Sequence, residues 1–223
     1  GPFFYSGVRF LLGLLVLLPF WRRNMRNTVQ RKFSSYIFPG LLAGVFLTLG
    51  VLFQQVGIVY TTAGKAGFIT GLYVVLVPVF AIWIGRRTHL GGWIGALMAV
   101  IGLYLLSISG SFSMSRGDVY VLVSAVFWAI HVLVLAKFAR DVPFIPLAVM
   151  QYAVCALVSF VIAGVTEPVS VSQLKDAIVP IIYGGAVSVG IAYTLQIVGQ
   201  KEAHPTHAAI ILSLEGVFAA VGG

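Results

Sequence analysis

The stretch AGFITGLYVVLVPVFAIWIG (Ala66–Gly85) runs for 20 residues without a charge and ends against Arg86 and Arg87. A bilayer core about 30 Å thick is crossed by roughly 20 apolar residues of helix. A helix satisfies its own backbone hydrogen bonds, which lipid cannot do for an open chain. Seven further stretches have the same character: Phe3–Trp21, Ile37–Tyr60, Leu90–Ser107, Val119–Ala136, Phe144–Val165, Ile178–Gly199 and Thr206–Gly223. The sequence therefore predicts an all-α, polytopic membrane helical bundle of eight spans joined by short polar connections.

Composition points the same way. The chain is 60% hydrophobic and 9% charged, and its mean hydropathy is +1.03. Soluble domains carry about 25% charged residues. The lone cysteine, Cys155, lies inside a span. It rules out an intrachain disulfide framework and a cysteine-based zinc site, and reads as a small buried apolar residue. No cofactor and no metal are expected.

The net charge of +8 is distributed as a topology signal. Ten of the 14 Lys and Arg fall in alternate connections: Arg22, Arg23, Arg26, Arg31 and Lys32, then Arg86 and Arg87, then Lys137 and Arg140, then Lys201. The opposite face carries Lys65, Arg116 and Lys175, the last two beside Asp118 and Asp176. Cationic connections stay in the cytoplasm, so Arg26 and Arg86 are expected inside, with Ser111 and Ser170 outside. Trp21, Trp83 and Trp93 suit the interfacial belt on the basic side. The bilayer is the expected surroundings, and no nucleic-acid partner is expected.

The second and third spans echo the seventh and eighth. FQQVGIVYTTAGKAGFI (Phe53–Ile69) aligns with LQIVGQKEAHPTHAAII (Leu195–Ile211), pairing Gln54 with Gln196 and Gly57 with Gly199. After a shift of about one helical turn, LVPVFA (Leu76–Ala81) aligns with LEGVFA (Leu214–Ala219). Five spans separate the copies, so they cross the membrane in opposite directions. Inverted repeats are a recurrent construction of secondary transporters, and paired helix interruptions mark their binding regions. Pro78 and Gly216 are the paired breakers and the hinge candidates. Both residues are also common in ordinary membrane helices.

These segments carry a resemblance. TTAGKAGFITGLYVVLVPVFA with Arg86–Arg87, VSAVFWAIHVLVLAKFA, and AYTLQIVGQKEAHPTHAAIILSLEGVFAA resemble helices four, six and eight to nine of an EamA-type transporter of the drug/metabolite transporter superfamily. The resemblance implies ten helices in two inverted halves of five. Residues 1–108 would belong to the first half and 117–223 to the second, the chain running from helix two to helix nine. It also implies movement of small metabolites, often amino acids and often outward. Many members read Glu-Pro where this chain has Glu215-Gly216, which leaves the bend of that helix open.

Polar groups deep in a span need a partner or a wet cavity. Glu215 lies mid-span on one stripe with His207 and Ile211; burial there would favour protonation and suit proton coupling or an ammonium ligand. Arg9 is the second intramembrane charge, a candidate partner for Glu215 or for a substrate carboxylate, although it also stands where an arginine can snorkel to headgroups. Ser124, Trp128 and His131 share a helix face, as do Tyr193, Gln196 and Gln200. Gln54 and its neighbour Gln55, Tyr73, Gln151 and Tyr152 add further polar groups. Interhelical hydrogen bonds worth about 0.6–2 kcal/mol are the plain alternative for each. Gln54, Tyr73, Trp128, His131, Tyr193, Gln196 and Glu215 are the expected lining of a substrate cavity. His204 and His207 lack a nearby Cys or clustered acid and do not read as a metal site; Pro205 and Thr206 read as a helix start. The GxxxG pairs Gly40–Gly44, Gly67–Gly71 and Gly91–Gly95 suit close helix contacts, within the chain or at a homodimer seam.

The functional expectation is a secondary transporter of small organic metabolites, amino-acid-like or drug-like, working as an exporter by alternating access and not as an enzyme. The alternatives are an intramembrane enzyme, which would need a catalytic constellation such as HExxH or GxSxG, and a channel or membrane scaffold, which would need a continuous polar pore or a large soluble surface.

Overall fold

The computed structural model describes residues 1–27, 34–107, 114–168 and 177–222. Arg31, Lys32, Ser111, Ser170, Lys175 and Asp176, which bear on the expected topology, lie outside the described residues. The helices in chain order are α1 (Pro2–Asn27), α2 (Ser34–Ile58), α3 (Ala63–Gly71), α4 (Tyr73–Trp83), α5 (Leu90–Ser107), α6 (Arg116–Phe138), α7 (Phe144–Thr166) and α8 (Ile178–Ile182). A π-helix, π1 (Tyr183–Tyr193), follows, then α9 (Thr194–Gln200) and α10 (Pro205–Gly222). The protein is an all-α polytopic bundle. Six stretches are long and apolar enough to cross a membrane, and the shorter apolar helices Leu90–Leu105 and Pro205–Phe218 occupy the other two expected spans.

The outer surface fits lipid. Leu97 is 60%, Phe218 73% and Val165 85% exposed. Water would penalise an apolar surface of this extent. Helices in lipid gain little from hydrophobic burial against one another, so small residues that allow close approach carry the packing.

The chain forms two compact units. Unit 1 comprises Gly1–Thr48 and Lys137–Glu202. Here α1 packs on α7 and on π1. Gly40 and Gly44 of α2 meet Met150 and Val154 of α7, so this GxxxG pair serves a contact within the unit. Tyr152 of α7 shares a hydrogen bond of 3.1 Å with Thr194 of α9. At one end Glu167 accepts from the backbone N–H groups of Phe3 and Phe4, each at 2.8 Å. At the other, Arg140 Nε donates to the Lys201 carbonyl at 2.6 Å.

The seventh span holds the largest departure from expectation. Instead of one α-helix over Ile178–Gly199, eleven of its residues form a π-helix. Such helices make up well under 1% of residues and concentrate at functional sites. Gly184, Gly185 and Gly190 let α1 approach: added Cβ atoms there would lie 2.7 Å from Arg9, 2.8 Å from Leu12 and 3.3 Å from Val16, respectively.

Unit 2 comprises Leu49–Ala136 and Ala203–Gly223. In it α10 packs on α3, α4 and α5, and α3 and α4 pack on α5. The second half of α2 lies on α6, where Gly57 stands against Val121 and the Gly117 backbone. The third span is interrupted at Leu72, between α3 and α4, six residues before Pro78. Pro78 itself is buried inside α4. The span closes where expected, at Gly85, whose φ of +75° is the left-handed conformation that glycine adopts without cost. Gly85 N–H bonds to Ile82 O at 3.0 Å and Arg86 N–H to Ala81 O at 2.9 Å, the paired bonds of a Schellman cap.

Connections expected on one face gather at one end of unit 2. Ser115 and Asp118 form a capping box at the start of α6: Ser115 N–H donates to Asp118 Oδ2 at 2.7 Å, and Asp118 N–H to Ser115 Oγ at 3.2 Å. The same buried carboxylate accepts from Thr61 Oγ1 and pairs with Lys65 Nζ at 3.9 Å. The opposite connections meet through Thr88 and Thr206, whose hydroxyls are 3.0 Å apart.

Candidate functional site

The interruption of the third span opens a pocket of about 110 Å³ within unit 2. Gln54 from α2, Thr70 from the end of α3, Tyr73 from the start of α4, and Ser213, Glu215 and Gly216 from α10 line it. Gln54 Nε2 donates to Thr70 Oγ1 at 3.1 Å, which aims the amide at the break. Ser213 Oγ donates to its own helix at Ile210 O, 2.7 Å away, and keeps its lone pairs for the pocket. Gly67 has nothing within 4 Å of an added Cβ, so that wall stays open. Leu103 of α5 packs against two of the lining glycines, 2.4 Å from a Cβ built on Gly71 and 2.8 Å from one on Gly216.

Three of the seven expected substrate residues thus converge here: Gln54, Tyr73 and Glu215. The hinge candidate Gly216 joins them. Trp128 and His131 belong to the same unit but to another place, with their rings 5.8 Å apart on α6 and Trp128 packed over Gly50. Ser124, on their helix face, is absorbed by its own helix through a 2.7 Å bond to Val121 O. Tyr193 and Gln196 lie in unit 1, where the Tyr193 ring stands 6.2 Å from that of Phe10.

The expected burial of Glu215 is corrected. Its stripe with His207 and Ile211 is the exposed face of α10, and Glu215 sits exposed at the rim of the pocket. The small residues Ala208, Ala209 and Ser213 form the inner face instead. Thr70 and Ser213 were not foreseen as pocket residues. Thr70 precedes Tyr73 by three positions, a spacing that puts both on one helix face. Ser213 had no signal beyond its nearness to Glu215.

The pocket is small. Sites for whole organic ligands run to about 300–1,000 Å³, whereas this one suits a single head group. Its donors and acceptors are an amide, two hydroxyls, a phenol and a carboxylate, a set that prefers a cationic or hydrogen-bonding group. His204 and His207 lie outside it, at the start of α10, with ring centroids 5.7 Å apart. Burial, and then the neighbouring His207, Arg86 and His89, hold the His204 imidazole below its ordinary value.

The comparisons with known proteins agree with this architecture. Residues 1–108 and 115–223 match the EamA-like transporter family. An uncharacterized transporter of Archaeoglobus fulgidus is 31% identical over 98% of this chain and 67% of its own length. Another uncharacterized transporter, YyaM of Bacillus subtilis, is 27% identical over 72% of this chain and 54% of its own length. A solved crystal structure superposes with a TM-score of 0.74, covering 98% of this chain and 76% of that one at 21% identity, which speaks to the fold alone. With six apolar helices long enough to cross a membrane, two shorter apolar helices, a pocket at an interrupted helix and a family match over residues 1–108 and 115–223, the chain is a multi-pass membrane protein that belongs to the EamA-like transporter family.

Proposed function

We propose that the protein is a secondary transporter of small organic metabolites, amino-acid-like or drug-like, that exports them by alternating access and catalyses no reaction. The observation that carries this reading is the convergence of Gln54, Tyr73 and Glu215 on a pocket beside an interrupted span. Discontinuous helices are a recurrent feature of transporter binding sites. Glu215 is the charge-sensitive member, taking an ammonium group or a proton at the rim. Protons are the proposed coupling ion and a cytoplasmic (inner) membrane the proposed location. Alternating access is supported by the internal repeat that pairs Gln54 with Gln196 and Gly57 with Gly199.

The test is uptake of a labelled amino-acid mixture into proteoliposomes holding the intact protein, with and without a pH gradient. Gradient-dependent flux is expected, and Glu215→Gln should lose the pH dependence while still inserting in the membrane. Flux with unchanged rate and pH dependence in Glu215→Gln would remove Glu215 from the mechanism.

A further inference from the structure

One end of unit 2 carries positive charge that the unit's own acids do not answer. Arg86 and Arg87 stand exposed in the connection between α4 and α5, with His89 exposed two residues further on. Neither arginine forms an ion pair among the described residues. The described acids of the unit are Asp118 and Glu215. Asp118 is held at the other end by Thr61, Ser115 and Lys65. Glu215 lies ten residues into α10, about 15 Å of helix from its start.

The basic connection is fixed at both ends. Arg86 N–H bonds to Ala81 O at 2.9 Å, and the Thr88 hydroxyl stands 3.0 Å from that of Thr206. Aromatic residues of the kind that sit at the headgroup level flank it. Trp83, at the end of α4, is 80% exposed, with its ring 5.4 Å from that of Phe80. Trp93 stands in the first turn of α5.

Beside Trp93 runs a groove of about 320 Å³, lined by Val75 of α4 and by Trp93, Ile94, Ala96 and Leu97 of α5. The Trp93 indole is the one polar side-chain group of this lining. Val75 lies eight residues before Trp83, and Leu97 seven after Leu90, so the groove reaches about 10 Å down from the basic connection. Arg87 precedes α5 by three residues, which places the arginines at the level where the groove begins.

The groove offers apolar surface to a hydrocarbon chain. The two unpaired guanidinium groups above it offer planar donor forks to a phosphate. A phospholipid with a net negative head group joins both chemistries in one molecule. A helix of a second copy would fill the groove and leave both arginines without an anion. We propose that Arg86 and Arg87 hold the phosphate of an anionic phospholipid whose acyl chain lies in the groove between α4 and α5. The assignment stands apart from transport, since no flux enters its test.

The experiment uses the intact protein in detergent micelles, titrated with phosphatidylglycerol or phosphatidylcholine brominated on the acyl chains. Bromine quenches tryptophan fluorescence on contact, and the part due to Trp93 is the difference between wild type and Trp93→Phe. Phosphatidylglycerol should quench Trp93 at lower concentration than phosphatidylcholine, by about fivefold for each arginine. The double variant Arg86→Gln/Arg87→Gln should erase that preference and leave quenching by phosphatidylcholine unchanged. Arg86→Lys/Arg87→Lys, which keeps the charge, should restore most of it. Val75→Phe, which fills the deep end of the groove, should weaken quenching of Trp93 by both lipids at an unchanged melting temperature. Equal quenching by the two lipids, or a preference that survives in the double Gln variant, would overturn the proposal. Displacement of the lipid by millimolar glycerol 1-phosphate would assign the arginines to a free phosphate and overturn it as well. A Trp93 that neither lipid quenches, in a protein that sediments as a dimer, would give the groove to a second copy.

Discussion

Two spans of this molecule are interrupted, one by tightening and one by widening. Between α3 and α4 the Leu72 N–H reaches back to Ile69 O at 3.2 Å, and Val75 N–H to Leu72 O at 3.0 Å, so the helix is wound tighter over one turn. In the seventh span the helix is wound wider over the eleven residues of π1. The tightened span leaves a pocket beside it, lined by Gln54, Tyr73 and Glu215. The widened span leaves no such room along α1, because Leu12, Gly13 and Val16 lie against its glycines. A helix irregularity in lipid thus has two outcomes. Polar side chains gather where neighbours stand back, and tight packing follows where glycines let a neighbour in. Each interruption stands beside one of the two intramembrane charges, Glu215 in one unit and Arg9 in the other.

The contrast is open to attack by substitution. The largest effect is expected at the tie that holds the start of the tightened span. Asp118→Ala removes half of a capping box, the acceptor of the Thr61 hydroxyl and the ion pair with Lys65, for a loss of about 3 kcal/mol. Thermal melting of the detergent-purified protein checks it, and an unchanged melting point would show that Asp118 does not hold the span in place. Next comes the packed face of the widened span. A Cβ on Gly185 meets Leu12 Cβ at 2.8 Å and the Arg9 carbonyl at 3.0 Å, so Gly185→Ala should cost about 2 kcal/mol by overpacking.

The matching change on the tightened span should behave oppositely. Gly67 faces open space, and alanine is the better helix former by up to about 1 kcal/mol. Gly67→Ala should therefore melt at the same temperature or higher while reducing transport, because the added methyl narrows the pocket. If both glycine variants destabilise alike, the contrast between an open and a filled interruption is wrong.

The smallest effect concerns pH. The His204 imidazole is held below its ordinary value by burial first and then by His207, Arg86 and His89. The folded protein therefore binds this proton less readily than a released chain does. The stability contributed by neutral His204 is present above the usual value of about 6.5 and is lost as pH falls from there through the lowered folded-state value. Melting curves across that window should show stability declining with acidity, and His204→Gln should flatten the decline. An equal slope in the variant would assign the pH dependence to other groups.

Much of this was legible in advance where the signal is local. Gly85 ends its helix because a glycine follows the last apolar turn, and Pro205 opens one because a missing N–H costs nothing at that position. The Ser115-Arg116-Gly117-Asp118 capping box is equally local, a serine followed three residues later by an acid. The position of the third-span break was not legible. Pro78 is the conspicuous breaker, yet the break lies at Leu72, beside Gly71, which stands against Leu103 of α5. The burial of Glu215 was misread for a related reason. Helical spacing puts His207, Ile211 and Glu215 on one face, but it does not say whether that face turns inward.

The sequence by itself determined the membrane class, the all-α character, the placement of basic residues along the chain and the transporter family. All follow from the length of apolar runs, the placement of charge and the order of residues along the chain. Only the tertiary structure decided which side of each helix is inner, that Gln54, Thr70, Tyr73, Ser213 and Glu215 share one pocket, and that Arg9 lies among aromatic rings against a π-helix. The physical reason is the solvent. In water a hydrophobic stripe announces the inner face of a helix. In lipid both faces are apolar, so the inner face is chosen by close contacts between small residues and by a few polar groups, which are properties of pairs of helices and not of one helix alone.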